Sequence, residues 1–378
     1  MKFSLGTKSI GQAFSLVRLV KPESGDFCLR FEQDGVIVFS NDKRRYIRTF
    51  VDYSGGSDSN IKSEDLYITP DKTALLDIND LRSVTITINE KSVSLKAEGG
   101  GQSRQASMKK KARRSKRPPI PEFPTTTGIK NINRESFEKI LRSLSCSAQV
   151  KLKSEEEMRV NQVHFYSGSQ CAISDARHYG TVVQSPLIDF DLSLVGADLP
   201  VISSFCSNCK DDYISIEEDK NKLYIIEPGT KSILALTKIS SKKPLFTLES
   251  DDYPISFVID AEKLSKALSW AMTASQEEGT RRVSFRISGE GRDRELILLF
   301  NKEEISRVDC RMDKGHVFDE DIHVEYLEHI TGNVNGHDEG GVRFSFGHKD
   351  SPNTIRISSA NPTKDVLIQH YLQTMVKH

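Results

Sequence analysis

Three segments of the chain carry apolar residues at i, i+3, i+4 and i+7, the spacing that turns one face of a helix toward a core. In TKSIGQAFSLVRLV they are Ile10, Ala13, Phe14 and Val17; in NRESFEKILRSLS, Phe137, Ile140, Leu141 and Leu144; in DAEKLSKALSWAM, Leu264, Ala267, Leu268 and Ala271. Each stripe recurs 127 residues after the last, about one third of a 378-residue chain. Asn133 and Asp260, four residues ahead of their stripes, are the expected N-caps. One amphipathic helix says little, but three in register point to a chain built by repetition.

The segments downstream of each helix repeat too. FCLRF, VNQVHF and RRVSFRI alternate as strands do, and a short turn then leads to VIVFSN, QCAIS and LILLFN. A second helical stretch is expected at 71–82, about 194–206 and about 323–331. Each leads into a hairpin: VTITINEKSVSLKA, YISIEEDKNKLYII and VRFSFGHKDSPNTIRIS. Each third thus holds two helix-plus-strands units, an α+β pattern with helices on one face of antiparallel sheets. The proline-rich RPPIPEFPTTTG (117–128) reads as one linker and SSKKPLFTLESDDYP (240–254) as another. The expected domains are 1–121, 122–250 and 251–378.

Composition narrows the class. Charged residues at 28% and hydrophobic ones at 37% suit a soluble globular chain with ample core. No apolar run suggests a membrane helix, and the start lacks the apolar region of a secretory signal. The six scattered cysteines are expected as reduced, intracellular thiols. Net charge is zero, yet KKKARRSKR (109–117) holds seven basic residues and no acid, which leaves the remainder seven charges negative. Such a chain would meet a polyanion in one place rather than everywhere. The candidate contacts are the tract itself (Lys109, Lys110, Lys111, Arg113, Arg114, Lys116 and Arg117), Lys72, and the polar helix faces. Those faces carry Lys8, Arg18 and Lys21; Arg134, Lys139 and Arg142; and Lys263 and Lys266. Charge alone does not separate a solvated face from one that meets phosphates; the tract has three readings, a solvated loop, an import-like signal or a DNA-facing insertion, and contact with DNA phosphates is the one expected.

Other chemistry is weakly supported. Ser174, Asp175 and His178 crowd into ISDARHY, but no nucleophile elbow or oxyanion hole accompanies them. CSNC (206–209) is half of a zinc site, with no second pair to complete it. GEGRDRE (289–295) lacks the Lys-Ser/Thr of a phosphate-binding loop and reads as a hairpin turn. The acids of ESDDYP and DEDIH lack the spacing of a metal-dependent nuclease. No cofactor, metal or catalytic residue is expected.

Several stretches resemble the bacterial sliding clamps, the β subunit of the replicative DNA polymerase. ISDARHY parallels the family's ATDGHRL, MKFSL its MKFTI, and PEFP its DFP, while KDSPNTIRISSANPTKDVLIQHY resembles its last hairpin and final strand. The resemblance runs in order along the whole chain. It implies a head-to-tail homodimer, a ring of six domains whose helices line a hole for duplex DNA, in a bacterial or virus-infected cytoplasm. It also implies a peptide-docking groove for DNA polymerase and clamp loader. Carried over, that groove would use Ser174, Ala176, Arg177, His178 and Tyr179; Pro244, Phe246 and Leu248; Pro352 and Thr354; and Ile368, Gln369, His370 and Tyr371.

The departures bear on specificity. GHR has become ARH, the family's VMPMRL ending has become IQHYLQ, and a tail TMVKH comes after it. LVGADLPVISS lacks basic residues common there in the family. Altered peptide specificity is expected, as in a viral or mobile-element clamp. The competing function is a DNA-binding accessory protein that never closes a ring and binds by charge alone.

Overall fold

The computed structural model describes residues 2–5, 7–23, 25–53, 64–69, 81–109, 127–148, 162–175, 179–239, 252–276, 281–335, 341–360 and 367–375. Among them are five α-helices: α1 (Thr7–Val17), α2 (Arg134–Ala148), α3 (Leu199–Asn208), α4 (Ala261–Gln276) and α5 (Val324–Asn335). The twelve stripe residues of α1, α2 and α4 are all buried. Burial of an aliphatic or aromatic side chain of this size stabilises by about 1.5–3 kcal/mol, so the repeated stripe is the main reason these helices lie where they do. Both expected caps form. Asn133 Oδ1 accepts the Ser136 N–H at 3.0 Å, and Asp260 Oδ1 accepts the Lys263 N–H at 2.9 Å.

The strands form three antiparallel sheets. The four-stranded sheet runs Lys2–Leu5, Leu81–Ile88, Ser92–Gly99, Gln102–Lys109. The eight-stranded sheet runs Glu64–Ile68, Phe27–Phe31, Gly35–Asn41, Arg45–Asp52, Ser232–Thr237, Lys222–Glu227, Tyr213–Glu218, Thr127–Asn133. The twelve-stranded sheet starts Leu192–Val195, Gln162–Tyr166, Cys171–Asp175, Tyr179–Gln184, Leu367–Gln373. It continues Ser351–Ser359, Val342–His348, Ile255–Ile259, Glu303–Lys314, Asp293–Phe300, Arg282–Ser288, Asp319–His323.

The two larger sheets each join strands from two thirds of the sequence. In the first joint Ile233 pairs with Arg48, Leu234 with Ile47 and Ala235 with Tyr46. In the second, Tyr179 pairs with Leu372, Thr181 with His370 and Gln184 with Leu367. The joint strands are buried on both faces along most of their length, so clean alternation is lost: SILALT reads as an apolar run, and LIQHYLQ buries Gln369 and His370 as well. The helix side of the eight-stranded sheet takes Phe27, whose ring meets Phe14 edge-on at 6.2 Å. Its other face gathers Cys28, Ile37, Phe39, Tyr46, Tyr224 and Ile233 into a second cluster.

The chain groups into two compact units. One is Met1–Glu138 with Pro200–Lys238, and the other is Lys139–Leu199 with Ile239–His378. The four- and eight-stranded sheets belong to the first and the twelve-stranded sheet to the second, so the middle third of the repeat supplies both.

The paired strands and hairpins expected from the sequence are present. The helical stretch expected at 71–82 differs: Leu81 and Arg82 open a strand, and 71–80 lie outside the described residues. Sequence reading also passed over the strand after each unit's first pair, Arg45–Asp52, Tyr179–Gln184 and Glu303–Lys314, and the first two of these make the joints.

Candidate functional site

Part of the expected basic charge lies on the polar side of the described helices. On α2, Lys139 and Arg142 stand exposed on that side. Beyond the end of α1, Arg18 is half-buried and Lys21 exposed. The Lys8 side chain lies outside the described residues, as do Lys72, Lys110, Lys111, Arg113, Arg114, Lys116, Arg117 and the side chain of Lys109.

Arg134 corrects the sequence reading. Its guanidinium turns inward, donating from Nε to the Asp211 carbonyl at 3.0 Å and from Nη1 to the Cys206 carbonyl at 3.3 Å. It therefore satisfies carbonyls at the end of α3 and in the loop beyond, rather than standing on a polar face for phosphate.

On α4 the lysines are paired. Lys263 Nζ meets Asp309 at 2.7 Å and Lys266 Nζ meets Glu262 at 2.7 Å, all four side chains exposed. The hydrogen bond each lysine donates to its carboxylate partner raises the lysine pKa. Exposed pairs of this kind contribute little stability and exchange readily with other anions. The neighbouring α5 adds Glu325 and Glu328 and neither Lys nor Arg. The last third thus offers a mixed rather than a basic face.

The groove residues divide by strand alternation. Ser174 lies in Cys171–Asp175 and Tyr179 opens Tyr179–Gln184. Ala176, Arg177, His178, Pro244, Phe246 and Leu248 lie outside the described residues. Pro352 is exposed and Ile368 half-buried. Thr354, Gln369, His370 and Tyr371 are buried, which corrects their expected role as groove lining. Gln369 and Tyr371 share one face of the sheet, where the Tyr371 hydroxyl donates to Gln369 Oε1 at 2.6 Å and the ring packs with Cys171, Ile173 and Val182. His370 points to the opposite face, its Nδ1 2.9 Å from Thr181 Oγ1. Neighbours in a strand cannot line one groove together.

The joints carry polar groups on their helix side. At the first, Thr49 Oγ1 lies 2.7 Å from Ser232 Oγ, and Ser232 lies 2.7 Å from Thr230. Thr230 donates to the buried Glu227, which also accepts the Asp211 N–H at 3.1 Å and that of Lys210. At the second, the Thr181–His370 contact takes this role. A further stack that sequence reading did not find sets the Arg356 guanidinium over Tyr253 at 4.2 Å, with His348 on the same ring at 5.1 Å. Only the aromatic at 253 beside a proline hinted at it.

The half zinc motif resolves as packing. Cys206 and Cys209 are buried, with burial the main reason the Cys206 thiol is pushed up to about 12 and that of Cys209 also upward. Among the described residues no group of three or more His, Cys, Asp or Glu is placed to hold a metal. A cleft of about 850 Å³ at the N-terminus of α4 is lined by charges of both signs, among them Asp260, Lys263, Asp293, Arg294, Glu295 and Arg311. No described helix is long and apolar enough to cross a membrane.

This arrangement of helices and joined antiparallel sheets is the fold of the DNA polymerase sliding clamps. It matches the β subunit of bacterial DNA polymerase III over the whole chain. The Thermotoga maritima subunit superposes with a TM-score of 0.78 at 10% identity, each chain covered completely. The Pseudomonas aeruginosa subunit gives 0.76 at 14%, again with both chains covered completely. The Borrelia burgdorferi subunit, solved in complex with a natural product, gives 0.78 at 13% with the same coverage. By sequence, no family model and no curated protein matches the chain.

Proposed function

We propose that the chain is a DNA sliding clamp: a non-enzymatic processivity factor that closes as a head-to-tail homodimer around duplex DNA and tethers a polymerase to its template. On this reading the three thirds are three clamp domains, and a dimer places six in a ring.

The observation that carries the reading is the set of joint strands. The third strand of each first unit (Arg45–Asp52, Tyr179–Gln184, Glu303–Lys314) has a counterpart at the end of each second unit (Gln102–Lys109, Ser232–Thr237, Leu367–Gln373). Two of these pairs form inside the chain. Two strands remain. Gln102–Lys109 ends its sheet, and residues 303–309 pair only with Asp293–Phe300 among the described strands. Within one chain, the first remaining strand lies in the first third and the other in the last. A second copy satisfies both by the pairing already used twice, and a heterologous contact that closes makes a ring. The charges agree: 102–109 carries Arg104 and Lys109 with no acid, whereas 303–309 carries Glu303, Glu304 and Asp309 against one Arg307.

DNA then meets the helix side through phosphate contacts, with Lys139, Arg142, Arg18 and Lys21 its candidate cations and the 109–117 tract a further one. Partner peptides dock at the groove around 174–179, with the interior positions 369–371 removed from its lining.

Solution mass and electron microscopy of the full chain test the reading, together with retention on circular and linearised DNA. A six-lobed ring at twice the 42.5 kDa chain mass, retained on circles and lost from free ends, is expected. Deleting 109–117 should lessen the salt dependence of DNA association. A monomer at every concentration, with equal retention on both DNAs, would replace the clamp by a charge-driven accessory DNA-binding protein.

A further inference from the structure

The three repeated helices differ at one position. Leu16 of α1, Ser143 of α2 and Trp270 of α4 stand 127 residues apart, each one before the last residue of its stripe. Leu16 and Ser143 are each 1% exposed, and Trp270 is 69% exposed. Trp270 is also the only tryptophan in the chain. A single exposed apolar side chain says little by itself; here both counterparts of the repeat are covered and this one is not.

The cover over the equivalent flank of α1 can be named. Leu16 lines a cavity of about 270 Å³ with Gln12, Thr49, Phe50, Thr230 and Ser232, so it sits beside the first strand joint. One turn earlier, Gln12 Nε2 donates to the Asn208 carbonyl at the end of α3, 2.6 Å away. The cover is therefore the third to which the joint strand pairs. In α4 the equivalent positions are Lys266 and Trp270, both exposed. The joint strand of that third is 303–314, whose first half lacks a second partner among the described strands. The residues around the indole, Ser269 and Thr273, are exposed and small, so it can be approached closely.

We infer that Trp270 is the anchor of self-association, seated against the first third of a second copy beside the pairing of 303–309 with 102–109. The inference rests on the ring reading and adds the side chain that dominates its closure. Tryptophan is among the residues most enriched at the energetic centre of interfaces, where truncation commonly weakens binding about thirtyfold. A closed dimer uses the same contact twice, so the loss compounds to about a thousandfold.

The lone indole makes the test direct. The full chain is diluted through its dissociation while sedimentation reports mass and tryptophan emission reports burial. Expected is an emission shift to shorter wavelength, with weaker acrylamide quenching, at the same midpoint as the doubling of mass. Trp270→Ser should raise the dimer dissociation constant about a thousandfold with thermal unfolding of the monomer unchanged, and Trp270→Phe should fall between. A dimer whose emission stays that of an exposed indole, or whose Trp270→Ser variant dimerises normally, overturns the anchor and leaves the ring standing. A monomer at all concentrations overturns both. Quenching by oligothymidylate without change of mass would make Trp270 a base-stacking surface instead, and the anchor would be wrong.

Discussion

The joints inside the chain and the two strands left over use one backbone device with opposite side chains. Ser232–Thr237 is SILALT and buried along nearly its whole length. Gln102–Lys109 is QSRQASMK and largely exposed. Both belong to the same place in the repeat. A joint held within one chain forms at high effective concentration and can rely on apolar side chains. An edge that spends time in water has to stay soluble and refuse wrong partners, and polar, charged residues do this. On the ring reading proposed above, an apolar strand here marks a permanent joint, and a polar one a joint that opens.

Truncation should separate the two kinds most sharply. Leu234→Ala, at a fully buried position of a joint strand, should cost about 2–5 kcal/mol of stability by denaturant unfolding. Met108→Ala, half-buried on the leftover strand, should cost less than about 1 kcal/mol on the same scale. Equal losses would erase the distinction.

The next largest effect compares the two internal joints. Thr181→Val removes the hydroxyl that meets His370 across the second joint and should cost about 1–3 kcal/mol. Thr49→Val should cost about 1 kcal/mol or less, because Ser232 keeps Thr230 as a partner. Unfolding midpoints at constant m-value would rank them.

The smallest effect sharpens the comparison through pH. His164, in the twelve-stranded sheet beside Ser193 at 2.9 Å, has its pKa lowered from 6.5 by desolvation. Below that ordinary value the unfolded chain takes up a proton the folded one resists. Stability therefore falls as pH drops from 6.5 through the lower folded value, then levels off. His164→Gln should flatten that slope while leaving stability at pH 8 nearly unchanged, as thermal melts across the range would show.

Much of the fold was legible because a 3.6-residue stripe repeated three times is hard to produce otherwise. The joint strands were not. YGTVVQ and LIQHYLQ are covered on both sides and show no clean alternation, and the first joint pairs residues as far apart as Arg48 and Ile233. The site obeyed the same rule. That Lys263 and Lys266 stand on a polar face was readable, but the partner of Lys263 lies 46 residues away. Arg134 fits the polar pattern of α2 yet serves the carbonyl of Cys206, a contact no local pattern encodes. That Gln369, His370 and Tyr371 are buried and point to alternate faces was partly readable: in a strand, successive side chains face opposite ways.

The buried thiols have a practical consequence. Cys28, Cys171, Cys206, Cys209 and Cys310 are all free and buried, and burial pushes Cys206 up to about 12 and Cys310 up to about 11. Maleimides and disulfide reagents attack the thiolate, so at neutral pH Cys206, Cys209 and Cys310, all raised by burial, react slowly in the native protein. A cysteine introduced at Gln105 or Ser103, both exposed, would take up a dye or cross-linker with little competition from them.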